Sequence, residues 1–192
     1  TEAFTCMAKN PLSDAYATAA VKKISTSLLQ VMDNPKDSDG RLELAQASTM
    51  AGIAFSNSMV GLVHALGHAT GAICHLPHGL CMSLYLPYVL EYNLESIRAP
   101  LGELLLYLEG PDVYSATPAS RRAEASISAL RKLRDELHKR CKLPRTLKET
   151  GSVEEHQLDT IAEMAMDDGA MMFNPKEVSL EDARAVLKRA WA

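Results

Sequence analysis

Between residues 50 and 72 the chain is almost continuously apolar, yet Ser56, Asn57, Ser58, His64 and His68 interrupt the run. A membrane span carries roughly 20 mostly apolar residues and few such groups, because lipid offers them no partners. The stretch therefore reads as a central helix buried in protein, around which other elements must pack. Hydrophobic residues make up 47% of the 192 positions. That is enough for one domain with its own core, or at most two small ones. The formal net charge of -4 shows no basic footprint, so neither nucleic acid nor a membrane surface is an expected partner.

The remaining segments read as helices too. Asn10 before Pro11 is a cap followed by proline at the first helical position, and Ala15, Ala19, Ile24, Leu28 and Val31 continue the helical spacing. The polar run 34–40 breaks that helix. A helix is expected over 41–55, and another, capped by Asn57 or Ser58, reaching about residue 72. Residues 74–79, with Pro77 and Gly79, read as a tight turn, and 80–92 as a helix bent at Pro87. Residues 97–108 form a short amphipathic helix ended by Gly110 and Pro111. A longer helix over 120–141 carries one charged, solvated face. Ser152 with Glu155, and Ser179 with Asp182, have capping-box spacing and open the last two helices. No alternating strand and no repeat emerges, so the expected class is all-α, a multi-helix bundle.

Three of the six histidines fall close together: His64, His68 and His78. His64 and His68, four apart, share a helix face with Cβ atoms roughly 6 Å apart. Burying them among Val63, Leu66 and Ile73 is costly unless each finds a partner. His78, at a proline-glycine turn, could fold back toward the same helix. Neutral imidazole is a common ligand for zinc or ferrous iron. Spacing alone leaves two readings open, a metal site or imidazoles satisfied by backbone carbonyls. Gly61, Gly67 and Gly71 suit either close helix packing or a ligand lying against bare backbone. A zincin-type hydrolase is excluded, since Ala65 stands where its general base must be. No glycine-rich turn between a strand and a helix is present to cradle a pyrophosphate. The four cysteines form no CxxC pair, which favours a reducing, cytoplasmic setting. Thr1-Glu2-Ala3-Phe4 reads as the middle of a helix, an expectation that the sequence is cut from a longer one.

The string Gly61-x-x-His64-x-x-Gly67-His68-x-x-Gly71-x5-Pro77-His78-Gly79 resembles the signature of the iron-containing, group III alcohol dehydrogenases, with Gly67 where Ala is usual. Glu2-Ala3-Phe4 with Asn10 to Ala15, Ala51 to Asn57, Leu143 to Leu147, and Asp167-Asp168 through Asn174-Pro175 resemble other segments of that family, although Lys176 stands where Arg is common. The resemblance covers the whole chain and implies the C-terminal helical domain of the dehydroquinate synthase-like fold, with residues 1–192 lacking an N-terminal nucleotide-binding α/β domain. It implies NAD or NADP as cofactor, a divalent metal (iron favoured over zinc), and interconversion of an alcohol with an aldehyde or ketone. His64 and His78 match two of four metal ligands, the others lying upstream of Thr1. His68 matches a non-ligand near the nicotinamide that relays a proton. Phe55, Gly169 and Ala170 match positions lining the substrate cleft. On this reading residues 1–192 alone are inactive and hold metal weakly, and a homo-oligomer is possible in the full enzyme. The competing expectations are a helical binding module with a relic or structural metal clamp, and a maleylacetate reductase or transhydrogenase relative.

Overall fold

The computed structural model describes every residue from Thr1 to Ala192. It consists of α1 (Glu2–Thr5), α2 (Pro11–Asp33), α3 (Ser38–Ser58), α4 (Leu62–Cys74), α5 (His78–Tyr92), α6 (Leu94–Glu109), α7 (Pro111–Ala116), α8 (Arg122–Cys141), α9 (Leu158–Met166) and α10 (Leu180–Trp191). Four short 3-10 segments join them, and there is no strand. The all-α expectation holds. No single helix is long and apolar enough to cross a membrane.

The residues divide into two compact units, Thr1–Met59 with Ile97–Leu130, and Val60–Ser96 with Arg131–Ala192. In the first, α2 and α3 pack along their lengths as a helical hairpin closed by the turn at residues 34–37. Their contact is built on small side chains, with Ala17, Ala20, Ala47 and Ala54 all buried, which lets the backbones approach. Asn10 caps α2, accepting from the Leu12 and Ser13 amides at 3.1 Å each. Its Nδ2 donates to the Asn57 carbonyl at 2.9 Å and so ties the start of α2 to the end of α3.

Neither Asn57 nor Ser58 caps the following helix. Asn57 Nδ2 donates to the Ile53 carbonyl at 2.7 Å and Ser58 Oγ to that of Ala54 at 3.1 Å, so both bond back one turn and close α3 instead. The polar loop is also shorter than expected, because Asp37 accepts from the Gly40 amide at 3.0 Å and starts α3 at Ser38.

The second unit surrounds α4. Leu62, Leu66, Leu84, Tyr85, Leu147, Ile161 and Leu187 are fully buried in one cluster fed by α4, α5, α9, α10 and, through Leu147, the connection that follows α8. Each such side chain contributes about 1.5–3 kcal/mol by leaving water. Thr70 Oγ and the Tyr85 hydroxyl meet at 2.5 Å and lock α4 to α5 inside that cluster. Gly61 precedes α4 and offers no side chain, so the Leu62 amide donates instead to Asn174 Oδ1 at 3.2 Å. Asn174 and Asn93, both buried, exchange two hydrogen bonds of 2.9 Å, and Asn174 Nδ2 also donates to the Lys176 carbonyl at 2.7 Å. The Ser179–Asp182 box forms as expected. The box expected at Ser152 and Glu155 is made by Glu154 and Gln157, around a 3-10 turn.

Candidate metal centre

The helix α4 sends Val63, Ala65, Leu66, Ala69 and Thr70 into the core, which leaves His64 and His68 on its open side. This corrects the expectation that the histidine face is buried. His64 is partly covered and the His68 side chain is 44% exposed. The helix stops when His75 turns left-handed at φ 55, and Pro77 then begins the next element. His78 is therefore the first residue of α5 and not a free turn residue. The Leu80 and Cys81 amides bond back to the Pro77 carbonyl at 3.0 and 3.2 Å, which fixes how α5 departs.

This local path brings the three rings together. His64 and His78 have ring centres 5.4 Å apart, and His68 is 5.5 Å from each. Two imidazoles bound at about 2.1 Å to one tetrahedral ion have centres roughly 5 Å apart, so the His64–His78 separation fits a shared divalent ion. His78 is exposed, yet the loss of some hydration beside the neighbouring helix, and then the nearby His64 and His68, hold it below the usual imidazole range. The neutral ring is the form whose lone pair can bind a metal. No three His, Cys, Asp or Glu side chains come together as a complete metal site.

Glycine sets how closely α5 approaches the histidine helix. A Cβ on Gly67 would lie 2.0 Å from Met82 Cε and 3.4 Å from Cys81 Cβ. The methionine tip fills the space that a side chain at 67 would occupy.

One residue of the site escaped the sequence reading. Asp168 Oδ2 lies 2.8 Å from His68 Nδ1, and Asp168 Oδ1 accepts from the Ala170 amide at 2.8 Å. Burial alone would raise the Asp168 carboxyl, but the Ala170 amide and His68 outweigh it and hold the group below the usual carboxylate range. Gly169 and Ala170, expected to line the substrate cleft, flank this carboxylate. Gly169 is exposed with open space around its α-carbon, whereas Ala170 is only 9% exposed. Phe55 lies near the end of α3 in the first unit, 47% exposed. Asp168 had one local signal, an Asp ahead of Gly169 that could cap a turn, but nothing local pairs it with a residue 100 positions earlier.

Residues 1–191 match the Fe-containing alcohol dehydrogenase family, C-terminal. The chain is similar to alcohol dehydrogenase 4 of Saccharomyces cerevisiae, 34% identical over 192 residues that cover 99% of this chain and 47% of the yeast protein. It is 32% identical to the NAD-dependent methanol dehydrogenase of Bacillus methanolicus, over 98% of this chain and 48% of that protein. Among solved structures, an alcohol dehydrogenase from Oenococcus oeni has a TM-score of 0.89 at 30% identity, covering 99% of this chain and 48% of that one. The chain spans about half the length of the curated relatives it matches. With a match running from the first residue to the last but one, on an all-helical fold that gathers the three signature histidines, the chain belongs to the iron-containing alcohol dehydrogenase family and corresponds to its C-terminal domain.

Proposed function

We propose that this chain is the helical half of a metal-dependent, NAD(P)-linked alcohol dehydrogenase that interconverts an alcohol with an aldehyde or ketone. The observation that carries the reading is the approach of His64 and His78 from two helices of one unit, with a third imidazole, hydrogen-bonded to a carboxylate, beside them. His64 and His78 are the ligands for a divalent ion, iron in preference to zinc in keeping with the family. When bound, that ion supplies Lewis-acid polarisation of the substrate oxygen, and a nicotinamide supplies the hydride acceptor. His68 handles the proton. Gly169 leaves the approach beside Asp168 open, which suits a substrate-lining position together with Ala170. For Phe55 that role rests on the family resemblance alone.

Closed metal sites use about four ligands, so two imidazoles hold an ion weakly. The remaining ligands and the nucleotide site belong, on this reading, to an α/β half joined to this one in the working enzyme. The four cysteines are free thiols, three of them buried, as a reducing cytoplasm permits.

Calorimetric titration of zinc or ferrous ion into the purified chain tests the ligand assignment. Weak binding is expected, lowered roughly tenfold or more by His64→Ala or His78→Ala and little changed by His68→Ala. Equal affinity across all three variants would refute the assignment. Turnover of an alcohol by residues 1–192 alone would refute the half-enzyme reading.

A further inference from the structure

The His68–Asp168 contact constrains more than the position of a side chain. The two nitrogens of an imidazole lie on opposite edges of the ring, and in the neutral form one donates while the other accepts. An ionised carboxylate can only accept. Asp168 Oδ2 faces Nδ1 at 2.8 Å, so the proton of a neutral His68 must sit on Nδ1. Asp168 cannot swing away easily, because its other oxygen caps the 3-10 turn Gly169–Phe173 through the Ala170 amide. Both the rotation of the ring and the place of its proton are thereby set from outside α4.

We propose that Asp168 is a positioning residue that holds neutral His68 as the Nδ1–H tautomer, so that Nε2 presents a bare lone pair for the proton of an alcohol hydroxyl. The purpose assigned to that lone pair rests on the dehydrogenase reading, whereas the tautomer itself does not. In alcohol oxidation the substrate O–H bond breaks and an Nε2–H bond forms, while the Nδ1–H stays on His68. The resulting imidazolium is stabilised by the Asp168 carboxylate, and carbonyl reduction returns the same proton. Without the carboxylate the ring could turn its protonated edge outward and would then offer no acceptor.

A purely structural role fits the pair poorly. The His68 side chain is 44% exposed, and a half-exposed ion pair adds little to stability. The helix is already held by its buried leucines and by Thr70 against Tyr85.

Long-range proton–nitrogen correlation spectra of the metal-free chain, labelled with nitrogen-15 in histidine, read the tautomer directly. The spectra are recorded at an alkaline pH beyond which the ring signals no longer move, so that the neutral form is the one observed. Comparison with His68→Gln identifies the signal. The expected result is Nδ1 protonated and Nε2 bare, the reverse of the preference of free histidine in water. In Asp168→Asn the new amide oxygen stays on the Ala170 amide proton, leaving an N–H to face Nδ1. That nitrogen can then only accept, and the proton moves to Nε2. Asp168→Ala reverts to the solvent preference. Finding Nε2–H in the parent chain overturns the proposal without recourse to any variant, and so does Nδ1–H persisting in Asp168→Asn while the His64 and His78 signals stay in place. Because no ion is present, these outcomes are separate from the metal titration. A chain that fails to bind ion but shows the reversal loses the dehydrogenase reading and keeps the positioning one.

Discussion

Replacing Asn174 by Ala should be among the most damaging single changes in the second unit, although the residue sits in a connecting segment. Its side chain makes four hydrogen bonds: it accepts from the Leu62 amide and Asn93 Nδ2, and donates to Asn93 Oδ1 and the Lys176 carbonyl. Removing it orphans groups at three residues, in a place where Asn93 and Asn174 are each only 4% exposed. A buried group stripped of its partner costs about 1–3 kcal/mol. Lys176 can recover water, so the expected loss is about 3–5 kcal/mol. Asn93→Ala removes only the two reciprocal bonds and leaves Asn174 its bonds to Leu62 and Lys176, for a loss of about 2 kcal/mol. The two effects should not add, because the Asn93 contribution disappears once Asn174 is gone. Urea unfolding followed by helical circular dichroism measures all four corners of the cycle, and an unchanged slope would validate the comparison. Asn93→Ala costing as much as Asn174→Ala, or the two losses summing in the double variant, would refute the claim that Asn174 is the hub that caps α4.

Gly67→Ala combines two opposing effects: a gain of about 1 kcal/mol in helix propensity and an overpacking cost of about 1–3 kcal/mol against Met82 Cε, 2.0 Å from the new carbon. Thermal unfolding should show Gly67→Ala neutral to destabilising in the parent but stabilising in a Met82→Ala background; the same effect in both backgrounds would dispose of the contact. Asp182 closes the capping box of α10, and the Ser179 side chain, then its amide, hold the carboxyl below its usual range. A depressed folded value contributes stability above the ordinary carboxyl range that is lost as pH falls through the folded value. Unfolding below about pH 4 should therefore lose part of its pH dependence in Asp182→Asn, and an unchanged acid limb would argue against the box.

Features that rest on neighbours in the chain were legible in the sequence. Asn10 with Pro11 and Ser179 with Asp182 satisfy amides two or three residues away, and both caps stand where the residues imply. The histidine spacing likewise foretold a shared face, and the proline-glycine turn foretold the return of His78. Local chemistry also misled where two partners competed. Ser58 could cap forward or bond back to Ala54, and the helix already formed behind it offered the nearer acceptor. What stayed hidden lies far apart in sequence. Asp168 meets His68 across 100 residues, and the partner of the Leu62 amide is 112 residues away. Asn174 stood out only through its family resemblance, and the amide it satisfies supplies a physical reason for it. The histidine face was misjudged for a related reason, since periodicity shows that α4 has an apolar stripe but not how far the covering elements extend beyond it.

The joint between α4 and α5 is only three residues long, with His75 turned left-handed and Pro77 fixing the backbone before His78. His64 and His78 are thus rooted on stiff rods whose angle is settled when the chain folds, so the separation of their α-carbons is fixed while the rings keep their own rotamers, that of His78 on an exposed residue. On the proposed reading an ion therefore finds the two backbone roots already placed and has only side-chain freedom left to quench, a smaller loss than in a site assembled from loose loops.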